Sequence, residues 1–204
     1  APVRIGGDHE NTIAGGAHGA VIAGGGQPGA PNSIGSNLAG AAIGGGMGNA
    51  ITDGGYVSVI DGGSFNRIRG TSDNGAIGGG RNNTLSNALG GVIGGGRTNL
   101  VTANNATIGG GIVNTVSGPS ATIGGGAQNE AAGDYNTIGG GIQNVAGLQG
   151  ATVGGGIRNT ASGQSALVAG GQQNQAIGSF ATVAGGVNNA ATADFAFAAG
   201  RGAR

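Results

Sequence analysis

This chain has no cysteine, no lysine and no tryptophan, and aromatic residues make up only 3% of it. Without cysteine, no disulfide can hold the fold, and thiolate metal or redox chemistry is excluded. Eight arginines face eight acidic residues, so the net charge is near zero. With no basic cluster either, the composition argues against a nucleic-acid partner. No apolar run approaches the roughly 18 residues of a spanning helix, so no membrane span is predicted. No leader segment is visible ahead of Ala1, a pattern expected of a mature secreted chain or of an excised piece. What the chain does have is glycine, 53 residues of 204. Unordered, that abundance would read as a flexible linker.

The glycines are strictly ordered. From Ala106 the chain reads ATIGGGIVNTVSGPS, ATIGGGAQNEAAGDY, NTIGGGIQNVAGLQG, ATVGGGIRNTASG. Taking the Ile or Val before each triplet as an anchor, the positions are 5, 22, 43, 60, 77, 93, 108, 123, 138, 153, 168 and 183, with Phe197 as the anchor of an altered last copy. The spacing is 15 residues from 93 to 183 and 16 to 21 before that. Six residues past each of the first twelve anchors stands Asn, except in the copy of Ile22, where Pro28 takes the place. Eight past the anchor, outside the copy of Ile22, stands Ile, Leu or Val up to Val116, and then Ala. A fixed period of this kind marks a repeat protein.

Within a copy the alternation has period two. Ala106, Ile108, Asn114 and Val116 share one parity, and Thr107, Thr115 and Ser117 the other. Such alternation with β-branched residues argues strand. A glycine triplet in every copy argues against helix, at about 1 kcal/mol per Gly relative to Ala. Each copy therefore holds two short strands, with the triplet forming the bend between them. Stacked copies give an all-β parallel β-solenoid, a β-roll of about 13 coils with repeats of mostly 15–17 residues. At roughly 4.8 Å per coil the rod would be about 60 Å long. Residues 1–92 form the wider coils with loop insertions, and residues 93–204 the regular coils of the same solenoid.

The Asn column (Asn49, Asn66, Asn83, Asn99, Asn114, Asn129, Asn144, Asn159, Asn174 and Asn189) is read as a structural ladder of stacked amides. The other reading, a row of ligands or metals, lacks converging charge. A phosphate-loop reading of the triplets fails for want of a following helix and of lysine. His9 and His18 are nine residues apart with only Asp8 and Glu10 nearby, so no metal site and no cofactor is predicted. No nucleophile, base and orienting acid come together, so no enzyme is predicted. Candidate ligand-binding residues sit where the period is broken. Pro28, Pro31 and Asn32 fall in the longest copy, and solenoid insertions form loops on one face. Tyr56, Arg67 and Arg69 are of types that anchor interfaces. In both places the bland alternative, a plain loop or strand surface, stands beside the functional one.

A single coil buries few large side chains, each worth about 1.5–3 kcal/mol, against roughly 1–2 kcal/mol of ordering per residue. That balance predicts association with further copies. The residue four past the anchor (Ile112, Ala127, Ile142, Ile157, Val187) suits a lateral contact. No atypical capping copy precedes Ile5, and solenoids normally need one.

The successions NTVSG, SATIGGG and NTASG, QSALVAGG resemble the head repeats of trimeric autotransporter adhesins, the YadA-like heads. The ending from Asp194 to Arg201 resembles the terminal copy of such arrays. The family repeat is usually shorter and has fewer glycines. The resemblance implies a left-handed parallel β-roll, three chains around one axis, and an extracellular or cell-surface location, or a virion fibre. It also implies binding to a host-surface protein or glycan. Two other readings are a subunit stacking end to end into an extracellular filament, and an ice-binding protein. For the last, the Thr column at 107, 122, 137, 152 and 182 is narrow and broken by Leu167.

Overall fold

The computed structural model describes residues 2–204. The chain is all-β, with no helix among the described residues, and it forms a parallel β-solenoid. Two compact units are present, Ala1–Asn105 and Ala106–Arg204. Six anchors fall in the first unit and seven in the second, and every coil but the last has the two short strands that the alternation predicts.

In the second unit the first sheet runs through Thr107–Ile108, Thr122–Ile123, Thr137–Ile138, Thr152–Val153, Leu167–Val168, Thr182–Val187 and Phe197–Arg201. The second sheet runs from Thr115–Val116 through Val145–Ala146 to Ala190–Ala191. Register is in phase up to the last coil, as in Ile123↔Ile138↔Val153, so like residues stack on like. The anchors from Ile108 to Val183 are buried, and so is the column from Val116 to Ala191. Thr at the position before the anchor points away from this core. A third line of pairing, which alternation alone does not reveal, joins Ile112, Ala127, Ile142, Ile157, Gln172 and Val187 through single parallel bridges.

The last coil corrects the expected anchor. Val183 pairs with Ala198, which is buried, while Phe197 pairs with Thr182 and is 70% exposed. The interval is thus 15 residues, and the missing residue falls after the anchor, where the register shifts so that Gly186 pairs with Gly200. Phenylalanine misled because it is the most apolar residue nearby, whereas alanine fits the narrow interior.

The first unit follows the same plan with wider coils. Ile22, Ile43, Ile60, Ile77 and Ile93 form one core column, and Ile34, Ile51, Ile68, Leu85 and Val101 the other. The extra residues of most coils lie between the second strand and the next anchor. Nine residues separate Ile51 from Ile60, but only seven separate Val116 from Ile123. The added space is filled by Leu38, by Ala88 and by two buried serines. Ser58 Oγ donates to the Ser72 carbonyl (2.9 Å) and accepts from the Gly75 N–H (3.0 Å). Narrower coils in the second unit accept only Ala in the second column after Val116.

Of the three glycines in a triplet, the third has the left-handed backbone. Gly141 has φ +89°, and a Cβ there would run into the Gly156 carbonyl and come within 2.7 Å of the Asn144 amide. The bends also place non-glycine residues at positive φ, among them Gln143 (58°), Arg158 (55°) and Tyr135 (59°). Each such residue costs of order 1–3 kcal/mol, so surrounding structure must hold it. The holding bonds run backward along the solenoid. The Gln143 N–H donates to the Ala127 carbonyl, and the Tyr135 N–H to that of Pro119, both at 2.9 Å.

Truncating a stacked anchor leaves a cavity that a continuous column closes only in part. Ile138→Ala is therefore expected to lower stability by about 2–5 kcal/mol, and Thr137→Ala by within about 0.5 kcal/mol. Urea unfolding of the two variants measures the difference; equal losses would contradict the inward and outward assignment.

Candidate functional site

The Asn column occupies the corner between the third pairing line and the second sheet. Asn144 is typical. Its backbone N–H donates to Asn129 Oδ1 (2.9 Å), and its own Oδ1 accepts from the Asn159 N–H (2.9 Å). Its Nδ2 donates to the Gly140 carbonyl of its own coil and the Gly156 carbonyl of the next, both at 2.9 Å. One primary amide thus satisfies the Asn159 N–H and the Gly140 carbonyl, which have no backbone partner at this bend, and adds a second donor to the Gly156 carbonyl, which also accepts the Ile142 N–H (2.9 Å). The expected side chain to side chain ladder is mainly a side chain to backbone ladder. Direct contacts such as Asn129 Nδ2 to Asn114 Oδ1 (3.1 Å) accompany it. With both ends of the amide engaged, the column leaves nothing to hold a metal.

The first unit repeats the pattern through Asn49, Asn66 and Asn83, and it corrects one expectation. The copy of Ile22 does have its ladder residue, which is Asn32. This side chain is 0% exposed. Its Oδ1 accepts from the Asn49 N–H (3.1 Å), and its Nδ2 donates to the Gly24 and Gly46 carbonyls. Asn32 is therefore no loop ligand. Four inserted residues displace it from six to ten residues past the anchor, which hid it from a fixed-period count. Pro28 is exposed and Pro31 half-buried in that insertion, which Glu10 ties down by accepting the Gly29 N–H (2.9 Å).

The other candidates lie elsewhere. Tyr56 is exposed on the opposite bend, where its N–H donates to Asp73 Oδ1 (3.1 Å). Arg67 and Arg69 flank buried Ile68 and point outward from the second sheet. Pro28 and Tyr56 stand at different bends of different coils, so the period-breaking residues do not make one site. His9 lies beside Asp8 (3.4 Å) on one bend and His18 on the other.

Two surface features of the second unit stand out, the first expected from the spacing as a lateral contact and the second not singled out by it. One is the half-exposed apolar column of the third pairing line, in which Ile142 is 45% exposed and Ile112 and Ile157 nearly as much. The other is a cleft of ≈ 640 Å³ lined by Arg158, Gln173, Gln175, Asn188, Thr192 and Arg204, with the buried Asn189 and Ala190 at its base. Arg158 Nε donates to Gln143 Oε1 (2.9 Å), and Arg204 Nη1 to the Asn188 carbonyl (2.8 Å). Arg158 and Gln173 occupy the left-handed corner position of successive coils, which holds both on the surface. A sequence signal for the cleft was present in the polar run Gln128, Gln143, Arg158, Gln173, Asn188 at the 15-residue period.

No protein-family model and no curated protein matches the chain.

Asn144→Ala leaves the Asn159 N–H without its acceptor and the Gly140 carbonyl without a donor, while the Gly156 carbonyl keeps only the Ile142 N–H. A loss of about 1–3 kcal/mol is expected, with Gln143→Ala much milder. Asn144→Asp should be at least as harmful as Ala, because a carboxylate would face two carbonyl oxygens. Thermal unfolding of the three variants checks this order; a silent Asn144→Asp would contradict the assigned donors.

Proposed function

We propose that this chain is an extracellular, non-enzymatic adhesive or structural β-roll of the trimeric adhesin or fibre-head kind. Three copies pack side by side through the second unit. The observation that carries the reading is the column Ile112, Ala127, Ile142, Ile157 and Val187, interrupted only by Gln172. These side chains stay half-exposed although the interior of the coil is filled. Covering one half-exposed Ile contributes roughly 1 kcal/mol at about 25 cal/mol per Å². A second copy presents the same column at the same rise, so the gain recurs at every coil.

The first unit shows a contrast at the same position. Its third line carries Met47, Ser64, Arg81 and Arg97. Two arginines on adjacent coils repel an identical neighbour and leave this stretch free for other partners. The surface location, the threefold symmetry and the binding of a host protein or glycan come from the resemblance of the repeats to YadA-like heads.

Sedimentation at micromolar concentration tests the reading. The expected species has the mass of three chains, and Ile142→Arg should shift it toward one chain without unfolding it. A compact, folded single chain at that concentration contradicts the lateral assembly. Long fibres in electron micrographs would support end-to-end stacking instead.

A further inference from the structure

We infer that the cleft around Arg158 in the second unit is a binding site for an acidic saccharide, one bearing carboxylate or sulfate groups. The inference rests on the adhesive reading above, to which it adds a ligand class and a location.

Charge is the first argument. The second unit carries three arginines, Arg158, Arg201 and Arg204, and three acids, Glu130, Asp134 and Asp194. Two of the three cations line the cleft and none of the acids does. Arg158 spends only its Nε on Gln143, and its two terminal nitrogens have no partner among the described residues. Those nitrogens form the fork that a carboxylate or sulfate accepts in bidentate fashion. Arg204 is held from behind by the Asn188 carbonyl, which fixes a second cation at the same cleft.

The remaining lining selects among anions. Gln173, Gln175, Asn188 and Thr192 are exposed and offer amides and a hydroxyl, and no aromatic or large aliphatic side chain lines the cleft with them. Such groups both donate and accept, which suits a hydroxyl-rich ring better than an apolar ligand. A nucleic acid would need a longer basic track and stacking aromatics. The size, ≈ 640 Å³, suits a few sugar rings. Spacing adds direction. The corner residues Gln143, Arg158, Gln173 and Asn188 repeat once per coil, about 4.8 Å apart. That row presents polar groups along the solenoid to successive units of an extended chain. Arg158 directly follows Ile157, so the cleft borders the proposed lateral contact and a bound saccharide would lie along its rim.

Titration calorimetry on the full chain tests the site. The probes are a sulfated uronate-containing tetrasaccharide, an unsulfated oligouronate, a neutral glucan tetrasaccharide and a short single-stranded oligonucleotide. At least one acidic saccharide is expected to bind, and the pair of them distinguishes sulfate from carboxylate. Arg158→Gln should weaken that binding about tenfold or more, the scale of a lost charge-assisted bond. Arg204→Gln should weaken it independently, Arg158→Lys should restore part of it, and Arg81→Gln, an equal change of charge in the other unit, should leave it unchanged. The inference is overturned if no acidic saccharide binds. It is equally overturned if the neutral glucan or the oligonucleotide binds as well, or if Arg81→Gln matches Arg158→Gln. Sedimentation of the same samples separates the two claims. Three-chain particles that bind no acidic saccharide remove the site alone, and single chains that bind it remove the lateral assembly alone.

Discussion

One primary amide per coil is the constraint on which the rest depends. A coil this short must turn sharply, and at the sharpest corner the backbone leaves one N–H and one carbonyl without a backbone partner, beside a second carbonyl that has only one. Unpaired and buried, each such group costs about 1–3 kcal/mol. Asparagine fits because its side chain is short, neutral, and both donor and acceptor. Aspartate lacks the donors, and alanine lacks everything. The glycine at Gly141 and its equivalents follows from the same corner, since a Cβ there would enter the space of the amide. Even the four-residue insertion of the second coil leaves the rule intact, because Asn32 moves along the chain to keep the same bonds.

With polar satisfaction assigned to the corner, the core is free to be thin. Two stacked columns suffice, mostly Ile with Ile in the first unit and Ile or Val with Ala in the second, beside a third of small side chains two residues before each anchor, such as Ala106, Ala121 and Ala151. Where a polar residue does enter the column of small side chains, it must bring its own partners. Asn136 is buried, with its Nδ2 donating to the Ala146 carbonyl and its Oδ1 accepting from the Ala151 N–H, both at 2.8 Å. A thin core also means that nearly every other side chain lies on the surface. Any binding by this chain is therefore decided by what each column displays outward. In the second unit one column shows Ile and Val, and its neighbour shows Gln, Arg and Asn.

Much of the fold was legible because repetition averages out local ambiguity. Twelve near-copies expose the period, the alternation and the two inward columns. What escaped was whatever one copy does alone or the backbone does without a telltale residue. The anchor of the last coil is Ala198, and apolar size favoured Phe197. Asn32 was hidden by an insertion, and the buried Asn136 by a column that is otherwise Ala, Gly or Ser. Left-handed corners at Gln143 and Arg158 carry no glycine, so nothing in the residue types announces them. The cleft was not singled out for a related reason. Its residues come from three coils and from the end of the chain, and each alone reads as a solvated surface residue.

The account is tested most directly by hydrogen exchange of the asparagine side-chain amides, followed residue by residue by nuclear magnetic resonance. If each amide locks one N–H and two carbonyls, the Nδ2 protons of Asn129, Asn144, Asn159 and Asn174 should exchange orders of magnitude more slowly than the exposed Nε2 protons of Gln143 and Gln173. Their protection should approach that of the neighbouring backbone. Side-chain protons of Asn144 exchanging as fast as those of Gln143 in a folded chain would contradict the ladder and, with it, the physical basis of the coil.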